Sequence, residues 1–174
     1  MFITMTREDH SESVVRKKIS PAEAFVKASR YCAFQERSHY EVRNKLYTFG
    51  LYKNDVEEII TRLITDGFLN EERFSKAFAG GKFRIKKWGR NKIANELELH
   101  KITPRCIQKG LDVIDPSDYN KTLTRLLKTK LAQITESNLF KKRDKAARFV
   151  IGKGYEPDLV WNLLLELTGK QKEL

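Results

Sequence analysis

The chain has 174 residues, of which 40% are hydrophobic and 33% are charged, and its formal net charge is +11. No apolar run approaches the ~20 residues of a membrane-spanning helix, and charged residues come too early in the sequence for a signal peptide. The two cysteines, Cys32 and Cys106, are too few for a disulfide framework. We therefore expect a cytoplasmic protein with two reduced thiols and no membrane partner.

The first part of the chain contains three helix-start signals, at Ser20, Ser38 and Asn54. Ser20 is followed by a proline and then by a glutamate, which is the pattern of an N-cap, a first helical residue and a capping-box acid. Ser38 repeats the capping box, and the third helix is expected to end near Gly67. These signals predict a three-helix repeat over residues 20–68. Residues 1–19 lack a helical stripe, and we expect them to form a mobile arm.

Start signals of the same kind continue along the rest of the chain, at Asn70, Thr103, Asp115 and Pro157. They predict a second three-helix repeat over residues 69–114 and a third over residues 115–168, with a C-terminal tail at 169–174. Residues 135–142 are expected to form a loop between the first two helices of the third repeat. No stretch alternates between apolar and polar residues as a half-buried strand does, so no sheet is predicted.

An apolar pattern recurs three times at intervals of roughly fifty residues. When Gly50, Lys101 and Gly154 are aligned, the positions 8 and 4 before them and 6, 10 and 13 after them are apolar in all three copies. The fifteen residues are Val42, Leu46, Val56, Ile60, Leu63, Ile93, Leu97, Ile107, Leu111, Ile114, Ala146, Val150, Val160, Leu164 and Leu167. Each repeat is too short to bury a large core alone, so neighbouring repeats should support one another. The predicted fold is all-α, with three tandem three-helix repeats that form an elongated, curved array.

Positive charge is concentrated in the second and third repeats. Residues 1–70 carry a net charge of +1, whereas residues 71–174 carry +10. Much of the excess lies in a first basic cluster, Lys82, Arg84, Lys86, Lys87, Arg90 and Lys92, and a second basic cluster, Lys141, Lys142, Arg143, Lys145 and Arg148. Such local fields favour a polyanion or an acidic protein groove as the partner. A solvated helical surface would give the same composition, and this alternative stays open.

Apolar residues are interleaved with the first basic cluster. Four of them share one helical stripe if a single helix runs through the segment: Phe74, Phe78, Ile85 and Trp88. We expect these side chains in the core rather than stacked against nucleic-acid bases. In the same helix Lys86 and Arg90 would share a face, because they are four residues apart. Gly80 and Gly81 lie inside this helix and indicate a kink or the close approach of another backbone.

The sequence shows no catalytic or metal-binding arrangement. His10, His39 and His100 have no cysteine or acidic neighbours at metal-ligand spacing. The Gly80-Gly81-Lys82 run lacks the spacing and the hydroxyl residue of a phosphate-binding loop. We therefore predict that the protein is not an enzyme and requires neither a metal nor a cofactor.

A dense motif runs through the end of the first repeat and most of the second. Its residues are Leu63, Gly67, Phe68, Leu69, Glu71, Glu72, Arg73, Phe74, Phe78, Lys82, Arg84, Lys86, Lys87, Trp88, Gly89, Lys92, Ile93, Glu96 and Leu97. With this motif the chain resembles the RecX family of recombinase regulators, which is built from three tandem three-helix repeats. Two positions depart from the family pattern. Lys101 stands where a helix-ending glycine is usual, and Ala79 stands where a larger aliphatic residue is usual.

The resemblance implies a monomeric regulator that binds the filament of the RecA recombinase on single-stranded DNA. It further implies modulation, and most directly inhibition, of the ATPase activity, filament extension and strand exchange of the recombinase. The two basic clusters are then the expected contacts with the filament groove. The positive charge also predicts weak contact with single- or double-stranded DNA that is indifferent to sequence and sensitive to salt.

Two other classes of function stay open on the sequence alone. A helix-turn-helix-like DNA-binding protein is also built from short helices with basic residues. However, the last helices of the first and third repeats are acidic, which disfavours their insertion into a major groove. A helical scaffold for another acidic partner is separated from the recombinase regulator only by the family motif.

Overall fold

The computed structural model describes residues 19–169, so nearly all of the predicted arm and tail lies outside the described residues. This range contains nine α-helices, one π-helical turn and no β-strand, which confirms the all-α prediction. The elements are α1 Pro21–Phe34, α2 His39–Thr48, α3 Lys53–Thr65, α4 Glu71–Gly81, the π-helical turn Lys82–Lys86, α5 Arg90–Leu99, α6 Pro104–Leu111, α7 Pro116–Gln133, α8 Leu139–Ile151 and α9 Pro157–Thr168. We refer to α1–α3, α4–α6 and α7–α9 as the first, second and third units.

Side-chain caps begin most of the helices where the sequence places them. Ser38 and Glu41 form the complete capping box at α2, since each side chain accepts a hydrogen bond from the backbone N–H of the other residue, at 3.1 and 2.9 Å. The other predicted N-caps whose side chains accept a backbone N–H are Ser20, Asn70 and Asp115. Together these bonds satisfy amide groups that have no partner inside the helix.

Three helix starts differ from the prediction, two in position and one in its cap. Helix α3 begins at Lys53, two residues earlier than a cap at Asn54 would allow, and it has no side-chain cap. Thr103 precedes α6, but its hydroxyl donates to the Glu71 carboxylate at 2.8 Å instead of capping the helix. The predicted loop over residues 135–142 is wrong in its second half, because the Asn138 side chain caps α8 and the helix starts at Leu139.

The repeated apolar positions form the core. Of the fifteen residues, thirteen are buried, and Leu111 and Leu167 are partly buried. The residue used for alignment has a positive φ in every unit, 79° at Gly50, 60° at Lys101 and 94° at Gly154. Each copy therefore ends its middle helix in a left-handed turn, which glycine adopts without steric cost and lysine does not.

The buried residues form two separate hydrophobic cores. One core belongs to the first unit and contains Val42, Leu46 and Leu63. The other is shared by the second and third units, since Ile93 and Leu97 belong to the same cluster as Leu123 and Val150. The prediction that neighbouring repeats support one another is thus confirmed for the second and third units.

The junction between the second and third units is a close backbone contact. The Gly89 N–H donates to the Lys153 carbonyl at 2.8 Å, and the Asn91 N–H donates to the Gly154 carbonyl at 3.1 Å. A Cβ atom on Gly89 would lie 2.2 Å from the carbonyl carbon of Gly154. Only a glycine therefore allows this approach without movement of one backbone away from the other.

Polar contacts connect the first unit to the second. The Arg73 guanidinium donates to the Glu36 carboxylate at 2.5 Å and also to the Gly67 carbonyl at 3.0 Å. The Ser38 hydroxyl lies 3.4 Å from Nδ1 of His100. These contacts are polar, in contrast to the shared apolar core of the second and third units.

Candidate partner-binding surface

The first basic cluster does not lie on one helix. Helix α4 continues into the π-helical turn, which ends at Lys87 with a left-handed φ of 56°. Helix α5 then begins at Arg90. The expectation that Lys86 and Arg90 share a helical face is therefore wrong.

The π-helical turn also changes which apolar residue is buried. A π-type hydrogen bond spans five residues rather than four, so the side chains after Gly81 are shifted along the helical stripe. Phe83 is buried at 8% exposure, whereas Ile85 is 76% exposed. The predicted core position at Ile85 is wrong for this reason, while Phe74 is buried and Phe78 and Trp88 pack against the core as expected.

Three cations of the first basic cluster already have aromatic partners within the protein. The Lys82 ammonium lies 4.9 Å from the ring centres of both Phe78 and Trp88, and the Lys92 ammonium lies 4.7 Å from that of Trp88. The Arg90 guanidinium lies 4.0 Å from the ring centre of Tyr119. Such contacts stabilise a cation by roughly 0.5–2 kcal/mol, so these three side chains contribute to packing as well as to surface charge.

A buried hydroxyl positions Arg90 further. The Tyr119 hydroxyl accepts the backbone N–H of Arg90 at 3.0 Å and donates to the Glu156 carboxylate at 2.6 Å. The Arg90 guanidinium lies 3.7 Å from the same carboxylate group. Burial, together with the hydrogen bond to Glu156, raises the pKa of Tyr119 far above its usual value, so the phenol remains a donor at neutral pH.

The remaining cations of the first basic cluster face solvent. Arg84 and Lys86 are exposed, and Lys87 is partly buried with its ammonium donating to the Arg84 carbonyl at 2.5 Å. Among the described residues none of these three side chains forms an ion pair with a carboxylate. Their charge is therefore available to a partner.

Helix α7 adds cations that the sequence analysis missed. Arg84 and Lys87 form one wall of a groove of about 380 Å³, and Lys121 and Arg125 form the other, with Phe83 also lining the groove. Lys128 continues the same exposed face of α7. We call Arg84, Lys87, Lys121, Arg125 and Lys128 the basic groove. The spacing of the α7 residues at i, i+4 and i+7 was the available signal, but it did not show which element they face.

The second basic cluster is not a single surface. Arg143 is only 5% exposed, and its guanidinium donates to the Thr168 hydroxyl at 2.7 Å and to the Gly169 carbonyl at 2.5 Å. The expected surface role of Arg143 is wrong, because this side chain ties the start of α8 to the end of α9. Its sequence neighbours Lys141 and Lys142 are exposed and partly buried, respectively.

Two further cations of the second basic cluster are neutralised locally. The Lys145 ammonium lies 3.0 Å from the Glu136 carboxylate, and this hydrogen bond holds the pKa of Glu136 below its usual value. Arg148 lies 2.6 Å from the carboxylate of Asp144. The positive field of the second basic cluster is accordingly weaker than its composition suggests.

The histidines that the structure describes have packing roles. His39 is partly buried, and burial lowers its pKa. His100 lies against the rings of Phe74 and Phe78, with centroid distances of 5.4 and 5.3 Å. Within residues 19–169 no group of three or more His, Cys, Asp and Glu side chains could hold a metal ion. His10 lies outside the described residues.

Two further findings concern the cysteines and the membrane. Cys32 is buried and Cys106 is partly buried, and neither is in a disulfide. No helix in the described part of the chain combines the length and the apolar character that crossing a bilayer requires.

The chain is similar to known proteins over most of its length. Family models described as the first and the second three-helix domain of RecX match residues 24–63 and 70–111. The regulatory protein RecX of Clostridium perfringens strain 13 is 27% identical over 161 residues, covering 89% of this chain and 75% of that protein. The regulatory protein RecX of Herminiimonas arsenicoxydans is 31% identical over 78 residues, covering 45% of this chain and 50% of that protein.

A solved structure shows the same fold. The crystal structure of RecX from Lactobacillus salivarius superimposes with a TM-score of 0.77 at 18% sequence identity, covering 84% of this chain and 96% of that one. The fold, the two domain matches and the curated relatives agree. The chain belongs to the RecX family, which is a family of regulatory proteins and not of enzymes.

Proposed function

We propose that this protein binds the RecA recombinase filament on single-stranded DNA and inhibits its ATPase activity, filament extension and strand exchange. Membership of the RecX family supports the choice of partner. The observation that carries the proposal is the positive surface formed by Arg84, Lys86 and Lys87 on the second unit and by α7 on the third, where Asp118 is the one carboxylate that lines the groove. A filament that contains DNA phosphates offers a complementary field.

The arrangement of the units suits a polymeric partner. The second and third units share one core, so the cations on them are held at fixed separations. A body that contacts two neighbouring subunits at once gains avidity without a single strong contact. We propose that the protein acts as a monomer in the cytoplasm, with repeat boundaries at 20–68, 69–114 and 115–168.

Not all of the predicted contact residues are equally suited to this role. We propose that Arg84, Lys86 and Lys87 contact the partner directly, with Lys141 and Lys142 as secondary contacts. Lys82, Arg90 and Lys92 support the surface through their aromatic neighbours. The other members of the second basic cluster hold the third unit together through the bonds described above.

The helix-turn-helix alternative has less support. A base-reading helix needs several exposed donors on one face. The exposed residues of α9 include Asp158 and Glu166, which would repel DNA phosphates, and the Glu57 carboxylate of α3 pairs with Arg43 at 2.7 Å. Helix α6 does expose Arg105 and Lys109, but the cations that line a common groove lie on the π-helical turn and on α7.

Charge reversal tests the proposal. In the Arg84→Glu/Lys86→Glu variant we expect helicity and melting to change little, because exposed charge changes normally alter stability by within about 0.5 kcal/mol. We also expect this variant to inhibit the ATP hydrolysis of preassembled recombinase filament much more weakly than the unmodified protein does. The matched control is Arg30→Glu/Lys53→Glu, which changes the net charge equally at exposed positions of the first unit. Equal inhibition by the first variant and the unmodified protein would contradict the proposal, and equal losses in both variants would show that only total charge matters.

A further inference from the structure

We propose that the basic groove binds the phosphodiester backbone of a nucleic-acid strand. This inference deepens the proposed function and rests on it only for the presence of DNA in the filament. The groove joins two elements that are distant in sequence, the π-helical turn and α7, into one cationic channel. The ligand chemistry is that of phosphate, which a single strand and a duplex both present.

The dimensions of the groove fit several consecutive phosphates. Lys121, Arg125 and Lys128 are exposed along one face of α7. Residues 121 and 128 of a helix are separated by about 10 Å along its axis, which corresponds to about three nucleotide steps at 3.4 Å per step in a duplex strand. Arg84 and Lys87 face the same space from the opposite wall. A strand in the groove would therefore be neutralised from both sides.

Most cations of the basic groove have no carboxylate partner within the protein. Among the described residues Arg84, Lys87, Arg125 and Lys128 form no ion pair, and Lys121 lies 3.9 Å from Asp118. Asp118 is the one carboxylate among the residues that line the groove. Unpaired cations held together repel one another, so a bound polyanion would relieve this repulsion.

The side chains beside these cations favour phosphate over an acidic protein. The exposed face of α7 also carries Ser117, Asn120 and Thr129. Hydroxyl and amide groups are common donors to phosphate and sugar oxygens. Protein interfaces instead have an apolar centre with aromatic or aliphatic anchors. The groove and this face of α7 offer one ring, Phe83, and that ring is buried.

Binding to free oligonucleotides tests the inference without the recombinase. Fluorescence anisotropy of a labelled oligothymidine strand and of a random duplex would be recorded over a range of salt concentrations. In the Lys121→Glu/Arg125→Glu variant we expect affinity for at least one of the two probes to fall about tenfold or more. Loss of two phosphate contacts should also reduce the slope of log affinity against log salt by about 1.4 for a single strand. The control is again Arg30→Glu/Lys53→Glu, and circular dichroism verifies that both variants remain folded.

A second variant acts in the opposite direction. Asp118→Asn removes the negative charge from the groove, and we expect it to strengthen binding of the same probes by a few fold. A destabilised protein could not produce this gain, so the result would support the groove independently of the charge reversal.

The outcomes separate this inference from the proposed function. A loss of oligonucleotide affinity in Lys121→Glu/Arg125→Glu but not in the control, together with a gain in Asp118→Asn, supports binding at the groove. This holds even if the unmodified protein proves unable to inhibit the recombinase. Equal losses in the groove variant and its control would overturn the inference, since binding would then follow net charge alone. Competition by poly-glutamate as effective as that by oligothymidine at matched charge would also overturn it, because the groove would then not select phosphate.

Discussion

Replacement of Gly89 by alanine is the sharpest structural test of how the second and third units meet. The backbone φ of Gly89 is −78°, which alanine adopts freely, so any effect must come from the added methyl group. That methyl group would lie 2.2 Å from the carbonyl carbon and oxygen of Gly154 and 2.3 Å from the amide nitrogen of Tyr155. These are backbone atoms and cannot rotate out of the way.

The expected cost follows from the two ways in which the junction can respond. If the two backbones shift only enough to relieve the contact and keep their hydrogen bonds, the overpacking costs about 1–3 kcal/mol. If they separate, the bonds from Gly89 to Lys153 and from Asn91 to Gly154 are lost, at about 0.5–1.5 kcal/mol each, and packing around Tyr155 loosens as well. Both routes give a free energy of unfolding lower by about 2 kcal/mol. For a chain of this size that corresponds to a fall in melting temperature of about 4–8 °C.

Gly81→Ala is the matched control. A Cβ atom on Gly81 would meet no atom within 4 Å, and its backbone is helical with a φ of −65°. We expect this variant to be unchanged or more stable by about 0.5–1 kcal/mol, because alanine favours helix over glycine. Thermal and urea unfolding followed by circular dichroism would measure both variants. A Gly89→Ala protein as stable as Gly81→Ala would refute the described packing of the two units.

Two further substitutions test the turns and the buried cation. Lys101→Gly should raise the free energy of unfolding by roughly 0.5–1 kcal/mol, since it places glycine where the φ is +60°. The left-handed conformation costs residues other than glycine about 1–2 kcal/mol. A lower urea midpoint in this variant would contradict this account. Arg143→Ala should lower the free energy of unfolding by about 1.5–3 kcal/mol, because it removes charged hydrogen bonds to Thr168 and Gly169, whereas Lys141→Ala at an exposed position should change the melting temperature little.

Much of the fold could be predicted from the sequence because its signals are local and repeated. The fifteen apolar positions recur in three copies, so a chance match in one copy is corrected by the other two. The caps at Ser38, Asn70 and Asp115 combine a side chain and an amide three residues apart, which a linear pattern shows directly. The left-handed turn at Lys101 is indicated by the glycines at the aligned positions of the other two copies, Gly50 and Gly154.

The errors arose where position depends on the third dimension. The π-helical turn keeps the composition of an α-helix, so a stripe through Ile85 fits the sequence as well as one through Phe83, and only packing distinguishes them. Arg143 lies in a run of basic residues typical of a surface, and its burial depends on acceptors at the end of α9. The basic groove joins Arg84 to Lys121, and no periodicity relates two residues on different elements.

The division of the hydrophobic residues into two cores also determines how the molecule resists deformation. Residues of the second and third units share one core, so bending between those units would open apolar contacts to water at about 25 cal/mol for each Å² exposed. The first unit meets the second through the Arg73–Glu36 pair and the Ser38–His100 contact, which can exchange for water at a smaller cost. Within residues 19–169 we therefore expect the joint near residue 70 to bend more easily than the contact between the second and third units. When the pitch of a helical polymer changes, a uniformly rigid rod must detach at one end, whereas a body with such a joint can remain in contact at both ends.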